Sequence, residues 1–188
     1  MTEETEADGS EAGESEVRAD SEQENDGGRF DRLPATDEDR SVAGRPSREA
    51  VLDWWVDRYG VPRETFEGYT FWEKGSGKLW AFAGDLSSPI AIEGLGLTFL
   101  RVRQEHWKPT TNAVQRFGHR ATHNVIEVSE GEARAFVAGR DQEIEWEGDW
   151  GYLIVAQKLA GEREPLGVGL YLYGELRSQV PKGRQRDL

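Results

Sequence analysis

Residues 150–181, WGYLIVAQKLAGEREPLGVGLYLYGELRSQVP, decide the fold class. The segments 150–159, 165–174 and 175–181 are too short and too rich in Val, Ile, Leu and Tyr for helices. They are bounded by glycines and prolines, so they read as three strands. Gly174 sits at a tight turn and Pro181 ends the third strand, which makes the set an antiparallel meander. Just upstream, SEGEARAFVAG (129–139) reads as a helix. Ser129 and Glu132 have capping-box spacing, Ala133, Phe136 and Val137 form an apolar face, and Gly139 suits a left-handed C-terminal position.

Farther out, TTNAVQRFG (110–118) has the length of a short helix with a threonine as cap. The runs YTFWEKGSGKLWAFAGD (69–85) and GLGLTFLRVRQ (94–104) read as strands, with Gly75-Ser76-Gly77 as a hairpin turn. SREAVLDWWVDRYG (47–60) carries Val51, Trp54, Trp55 and Tyr59 at helical spacing and stops at Gly60 and Pro62. The pattern predicts an α+β unit of about 140 residues, a curled sheet or small β-barrel with two or three short helices. It lacks the regular βαβ alternation of a dinucleotide fold.

Charge is distributed unevenly. The net charge is -13, yet residues 1–46 hold 15 Asp and Glu against 5 Arg, and the remainder holds 21 acidic against 18 basic residues. That first segment has few large apolar side chains to offset its ordering entropy. Composition therefore predicts a disordered acidic tail over 1–46 and one folded domain over 47–188. Lysine is confined to Lys74, Lys78, Lys108, Lys158 and Lys182. With so many acidic residues, this is the composition of a halophilic protein, in which high salt screens self-repulsion. Cysteine is absent, which excludes disulfides, thiolate metal sites and a thiol nucleophile. No leader or long apolar run is present, so the chain is expected to be soluble and cytoplasmic, with no membrane partner.

No catalytic constellation emerges. His119, His123 and Glu127 have a spacing that would suit a metal on a helix, but Val125, Ile126 and Val128 alternate like a strand, so the histidines read as exposed loop residues. GLGL and GVGL do not continue into a dinucleotide or phosphate loop and read as bulges or close approaches in strands. No GxSxG elbow occurs, and acidic pairs such as Glu143 and Glu145 read as a solvated face. The chain is thus expected to be no enzyme and to hold neither metal nor cofactor; an enzyme built on His106, His119 and His123 is the weakest reading.

What remains is aromatic and cationic. His106, Trp107, Lys108, Asn112, Gln115, Arg116, His119 and Arg120 cluster in sequence, and Arg177, Lys182, Arg184 and Arg186 would join them if the last strand lies beside the helix at 110–118. Cations for phosphate, planes for stacking and amides for base edges are the ingredients of RNA recognition.

The order of segments is also that of a known family. GLGLTFLRVRQEHWKPTTNAVQRFG (94–118), VIEVSEGEARAFVAG (125–139), WGYLIVAQKL (150–159) and PLGVGLYLYGELRSQVPKG (165–183) together resemble the C-terminal, PUA-like RNA-binding region of the Sun/Fmu family of RNA cytosine-C5 methyltransferases. Pro109-Thr110-Thr111 matches its Pro-Ser/Thr-His-like motif, and Gly151–Ile154 its Gly-x-x-Leu-Val strand. Leu166, Gly167, Gly169, Gly174, Leu176, Arg177, Ser178, Pro181 and Lys182 match its closing motif, with Ser178 in place of Asn and Leu170 where Lys is frequent. The resemblance implies a PUA-like fold and RNA binding, to ribosomal or transfer RNA. It implies no methyl transfer, because no S-adenosylmethionine-binding segment or catalytic cysteine is found.

The resulting expectation is a non-enzymatic RNA-binding protein of ribosome biogenesis or of rRNA and tRNA modification. Lys108, Thr110, Asn112, Arg116, Arg177, Lys182 and Arg184 are its candidate RNA contacts. The alternative is a protein-interaction subunit whose partner is an RNA methyltransferase or a ribosome-assembly protein.

Overall fold

The computed structural model describes residues 28–187. In chain order its strands and helices are β1 (Asp31–Arg32), α1 (Arg48–Tyr59), β2 (Tyr69–Glu73), β3 (Lys78–Ala83), β4 (Leu97–Arg101), β5 (Lys108–Pro109), α2 (Thr111–Phe117), β6 (Val125–Glu127), α3 (Glu130–Val137), β7 (Gln142–Glu143), β8 (Gly151–Leu159), β9 (Glu162–Leu172) and β10 (Glu175–Ser178). They form two five-stranded sheets, ordered β1-β2-β3-β4-β5 and β6-β8-β9-β10-β7. The second has the expected antiparallel meander β8-β9-β10 at its centre and gains β6 as a parallel edge beside β8. The architecture is α+β, with a curled, half-barrel sheet.

Local chemistry sets the helix ends. Ser47 caps α1 by accepting from Ala50 N at 3.1 Å, and Gly60 closes it in the left-handed region at φ 63°. Thr110 caps α2 through Ala113 N. Ser129 and Glu132 form the reciprocal capping box of α3, and these hydrogen bonds hold the Glu132 carboxyl below its usual pKa.

Two main cores result. The first lies among α1, α2 and the first sheet and is built from rings: Trp55 stacks on Phe99 at 5.2 Å, Phe71 lies 4.9 Å from Phe99, and Phe66 lies 5.0 Å from Phe117. Ile154 and Val168 of the second sheet reach into it, so the sheets share this core. The second core packs α3, through Ala133 and Phe136, onto Ile126, Leu153, Val155 and Leu176. Gly169, one of the GVGL glycines, is a close approach as expected: a Cβ there would lie 2.5 Å from Leu176 Cδ1 and 2.8 Å from Val155 Cγ2.

The expected tail boundary at residue 46 is too far along the chain. Phe30 and Leu33 are buried, β1 pairs with β2, and Phe30 exchanges backbone hydrogen bonds with Ile90. Buried Arg45 donates from Nε to Glu73 Oε2 at 2.6 Å and from Nη2 to Asp31 Oδ2 at 3.2 Å. Composition averaged over 46 residues hid two apolar anchors and one paired arginine. The rest of the expected tail, residues 1–27, lies outside the described residues. No helix among the described residues is long and apolar enough to cross a membrane.

Candidate nucleic-acid interface

The end of α1 meets the start of β8, and this junction shapes a cleft. Arg58 donates from Nη2 to the carbonyls of Trp150 and Tyr152, each at 3.0 Å, and lies 3.6 Å from Asp149 Oδ2. Tyr59 donates its hydroxyl to the same Tyr152 carbonyl at 3.0 Å, and burial pushes its phenol pKa up. Asn124 adds a bond to Arg58 O at 2.7 Å and to Asp149 Oδ2 at 3.2 Å. These bonds fix the segment that carries Trp150 and Tyr152.

Register then aligns the side chains that line the cleft. Tyr152 pairs with Leu170, and Leu170 pairs with Arg177, so the three form one cross-strand row on one face of the second sheet. Nearer the first core, this face is covered; at the row it opens into a cleft of about 810 Å³ whose walls include Trp54, Trp107, Trp150, Tyr152, Leu170 and Leu172. Trp54 and Trp107, both in this lining, pack against each other with ring centroids 6.1 Å apart and planes tilted by 40°. Lys108 stands over the Tyr152 ring at 5.4 Å and donates to Gln179 Oε1 at 2.5 Å. Partial burial, and secondarily the charge of Arg101, lower the Lys108 pKa below its ordinary value. The cleft offers aromatic faces to a flat apolar group, with the Lys108 ammonium beside Tyr152.

The seven residues singled out in the sequence do not form one cluster. Lys108 borders the cleft through Tyr152, and Arg177 lies one strand beyond its Leu170 wall, ion-paired with Glu175 at 2.6 Å. Thr110 is the α2 cap and also donates to Thr98 O. Asn112 donates to Thr98 Oγ1 at 2.9 Å and Arg116 to the Tyr69 hydroxyl at 3.2 Å, and both line a separate shallow depression with Trp80 and Gln115. Lys182 and Arg184 lie on an exposed 3₁₀ turn, with no side-chain ion pair among the described residues.

The chain beyond β10 runs beside α3 rather than beside α2. Arg186 N donates to Val137 O, and Asp187 pairs with Arg140 at 2.6 Å. The basic terminus is therefore not a direct continuation of the α2 cations. Ser178, a departure from the family motif, donates to Phe136 O at 2.8 Å and so ties β10 to α3; Leu170, the other departure, is a wall of the cleft.

Sequence reasoning passed over Arg58, Tyr152 and Trp150. Their signal was the aromatic pair Trp150 and Tyr152, two apart at the head of a strand, hence on one face. Of the histidines, His119 is exposed on a 3₁₀ turn and His123 bonds to Asp57 O at 3.1 Å. Glu127 lies on β6, and no group of three His, Cys, Asp or Glu among the described residues is placed to hold a metal ion.

Known proteins divide the chain in two. Residues 18–96 match a family of unknown function, DUF7122, and residues 123–186 match the family described as the methyltransferase RsmF PUA domain. The ribosomal RNA small subunit methyltransferase F of Aeromonas salmonicida (strain A449) is 24% identical over 113 residues, which cover 58% of this chain and 23% of that protein. The chain thus spans about a quarter of that relative's length. The second match takes in α3 and the whole second sheet, including the face that opens into the cleft, whereas the first ends before β4. The C-terminal part of the chain is therefore a PUA-like domain of the Sun family.

Proposed function

We propose that this protein binds RNA through the cleft between α1, residues 104–107 and the second sheet, and that it does so in ribosomal RNA modification or ribosome biogenesis without itself catalysing a reaction. The observation that carries this reading is the Tyr152–Leu170–Arg177 row, with Lys108 over the tyrosine and tryptophans on either side. Such a surface offers stacking planes together with phosphate-neutralising charge, within a domain matched to an RNA methyltransferase family. Ribosomal RNA is favoured over transfer RNA because the matched relative is named for the former.

In this reading the two matched regions act as one unit, since α1 supplies the clamp that shapes the cleft. Lys108 and Arg177 neutralise phosphates at the cleft, while Lys182 and Arg184 prolong the cationic rim past β10. Asn112, Arg116 and the Thr110 segment border the neighbouring depression and contact flanking RNA. The acidic remainder is an adaptation to a salty cytoplasm, where local patches outweigh net charge.

The test is fluorescence anisotropy against transcribed segments of small-subunit ribosomal RNA. Wild-type protein is expected to bind at least one segment saturably. Tyr152→Leu, checked for folding by thermal melting, should weaken binding roughly tenfold, by the loss of one stacking plane. Lys182→Ala with Arg184→Ala should lower the magnitude of the log–log salt slope by about 2. No saturable binding to any segment, or full affinity in the Tyr152 variant, would overturn the proposal.

A further inference from the structure

Beside the cleft stands a feature that neither core explains. β9 and β10 are joined by Tyr173 and Gly174, both with positive φ, 53° and 85°. Such two-residue turns favour Asn, Asp or Gly at the first position, where a bulky side chain is strained. Tyr173 nevertheless occupies it and is 80% exposed, so burial does not offset the strain. Its ring contacts Trp150, itself 55% exposed, edge to face at 4.9 Å. Trp150 is also a wall of the cleft. Through Trp150, Tyr173 thus extends toward the hairpin tip the set of rings that line the cleft, Trp54, Trp107, Trp150 and Tyr152.

We infer that this track takes unpaired nucleotides of RNA, which enter over the Trp150–Tyr173 pair and place a base in the cleft. The inference rests on the RNA-binding reading and narrows it to single-stranded RNA. In a duplex the faces of the bases are hidden by stacking, whereas an unpaired base offers them to an aromatic ring. The cleft volume is that of a site for one small ligand, enough for about one or two nucleotides and too small to admit a helix.

Charge supports the same choice. Arg58 is held by the Trp150 and Tyr152 carbonyls, so it builds the cleft rather than reaching for phosphate. Glu105 lines the wall, and Glu175 pairs with Arg177. A surface with this mixture of signs, on a chain of net charge -13, is poorly suited to the dense phosphate rows of a duplex. Stacking supplies what counterion release does not.

The probes are fluorescein-labelled oligouridylate and oligoadenylate of about twelve nucleotides, within the footprint of single-strand binding domains, and an RNA duplex of equal length. The variant is Trp150→Ala with Tyr173→Asn, in which both altered side chains are more than half exposed and Asn is suited to the left-handed turn. Single strands are expected to bind more tightly than the duplex, and the variant to lose about tenfold or more on single strands. A duplex that binds as well as the single strands overturns the inference and leaves RNA binding standing. So does a variant with unchanged single-strand affinity. Absence of binding to all three probes and to every ribosomal RNA segment removes both readings.

Discussion

The two sheets use most of their aromatic residues differently. Around the first sheet, Trp55, Phe66, Phe71, Phe99 and Phe117 are buried against one another. In the second sheet the strands fill their core with Leu153, Val155 and Leu176 and a single buried ring, Tyr171, while Trp150 and Tyr173 stay exposed and Tyr152 partly exposed at the cleft. An aromatic ring serves as well for stacking on a ligand as for filling a core. Which role it takes depends on whether its face of the sheet is covered. Helices α1 and α2 help to enclose the first core, whereas the face of β8 and β9 that carries Tyr152 and Leu170 remains open.

Removing one tryptophan from each region is the strongest way to break this contrast. Trp55→Ala is expected to cost about 3–5 kcal/mol of stability, from lost burial and the cavity left among Tyr59, Phe66 and Phe99. Trp150→Ala should cost less than about 1 kcal/mol, because more than half of its surface is in water already. Urea unfolding of both variants measures the difference. Equal losses would mean that the two regions do not divide their aromatics by role.

The next effect concerns what holds the N-terminal segment to the first sheet. Arg45→Ala leaves the buried Glu73 carboxylate without its guanidinium partner and is expected to cost about 3 kcal/mol. Arg45→Met combined with Glu73→Gln should recover most of that loss, because position 73 then carries no charge and Asp31 keeps Arg29 at 3.4 Å. A single variant as stable as wild type would show that residues 30–46 are an appendage rather than a part of the domain.

The same contrast explains how far the sequence could be read. Strong local signals survive folding: the capping box of Ser129 and Glu132, the glycine stop at Gly60, the hairpin at Gly75-Ser76-Gly77 and the β8-β9-β10 meander are all present. Residue chemistry alone did not distinguish Trp55, enclosed in the core, from Trp54 beside it, which lines the cleft. That division is made by long-range packing. The cleft was legible only in part, because Trp54, Trp107, Tyr152 and Leu170 are scattered along the chain and are brought to one site by the packing of α1 and by the β8–β9 register. The acidic composition of residues 1–46 concealed Phe30 and Arg45, whose roles depend on β2 and Ile90.

The smallest expected effect tests an ammonium that crosses between the regions. Lys108 is on β5 of the first sheet, yet its charge lies over Tyr152 of the second. Burial first, and the Arg101 charge second, lower its pKa in the folded protein. Between that lowered value and the ordinary value of 10.5 the unfolded chain binds more protons than the folded one. Stability should therefore rise with pH across this window, by less than about 1 kcal/mol for a half-exposed group. Lys108→Met should flatten the rise in pH-dependent unfolding. RNA affinity should move the other way, falling in the wild type as the ammonium loses its proton and staying level in the variant. A wild-type affinity that holds steady through the window would separate the first sheet's lysine from the ligand and leave binding to the second sheet alone.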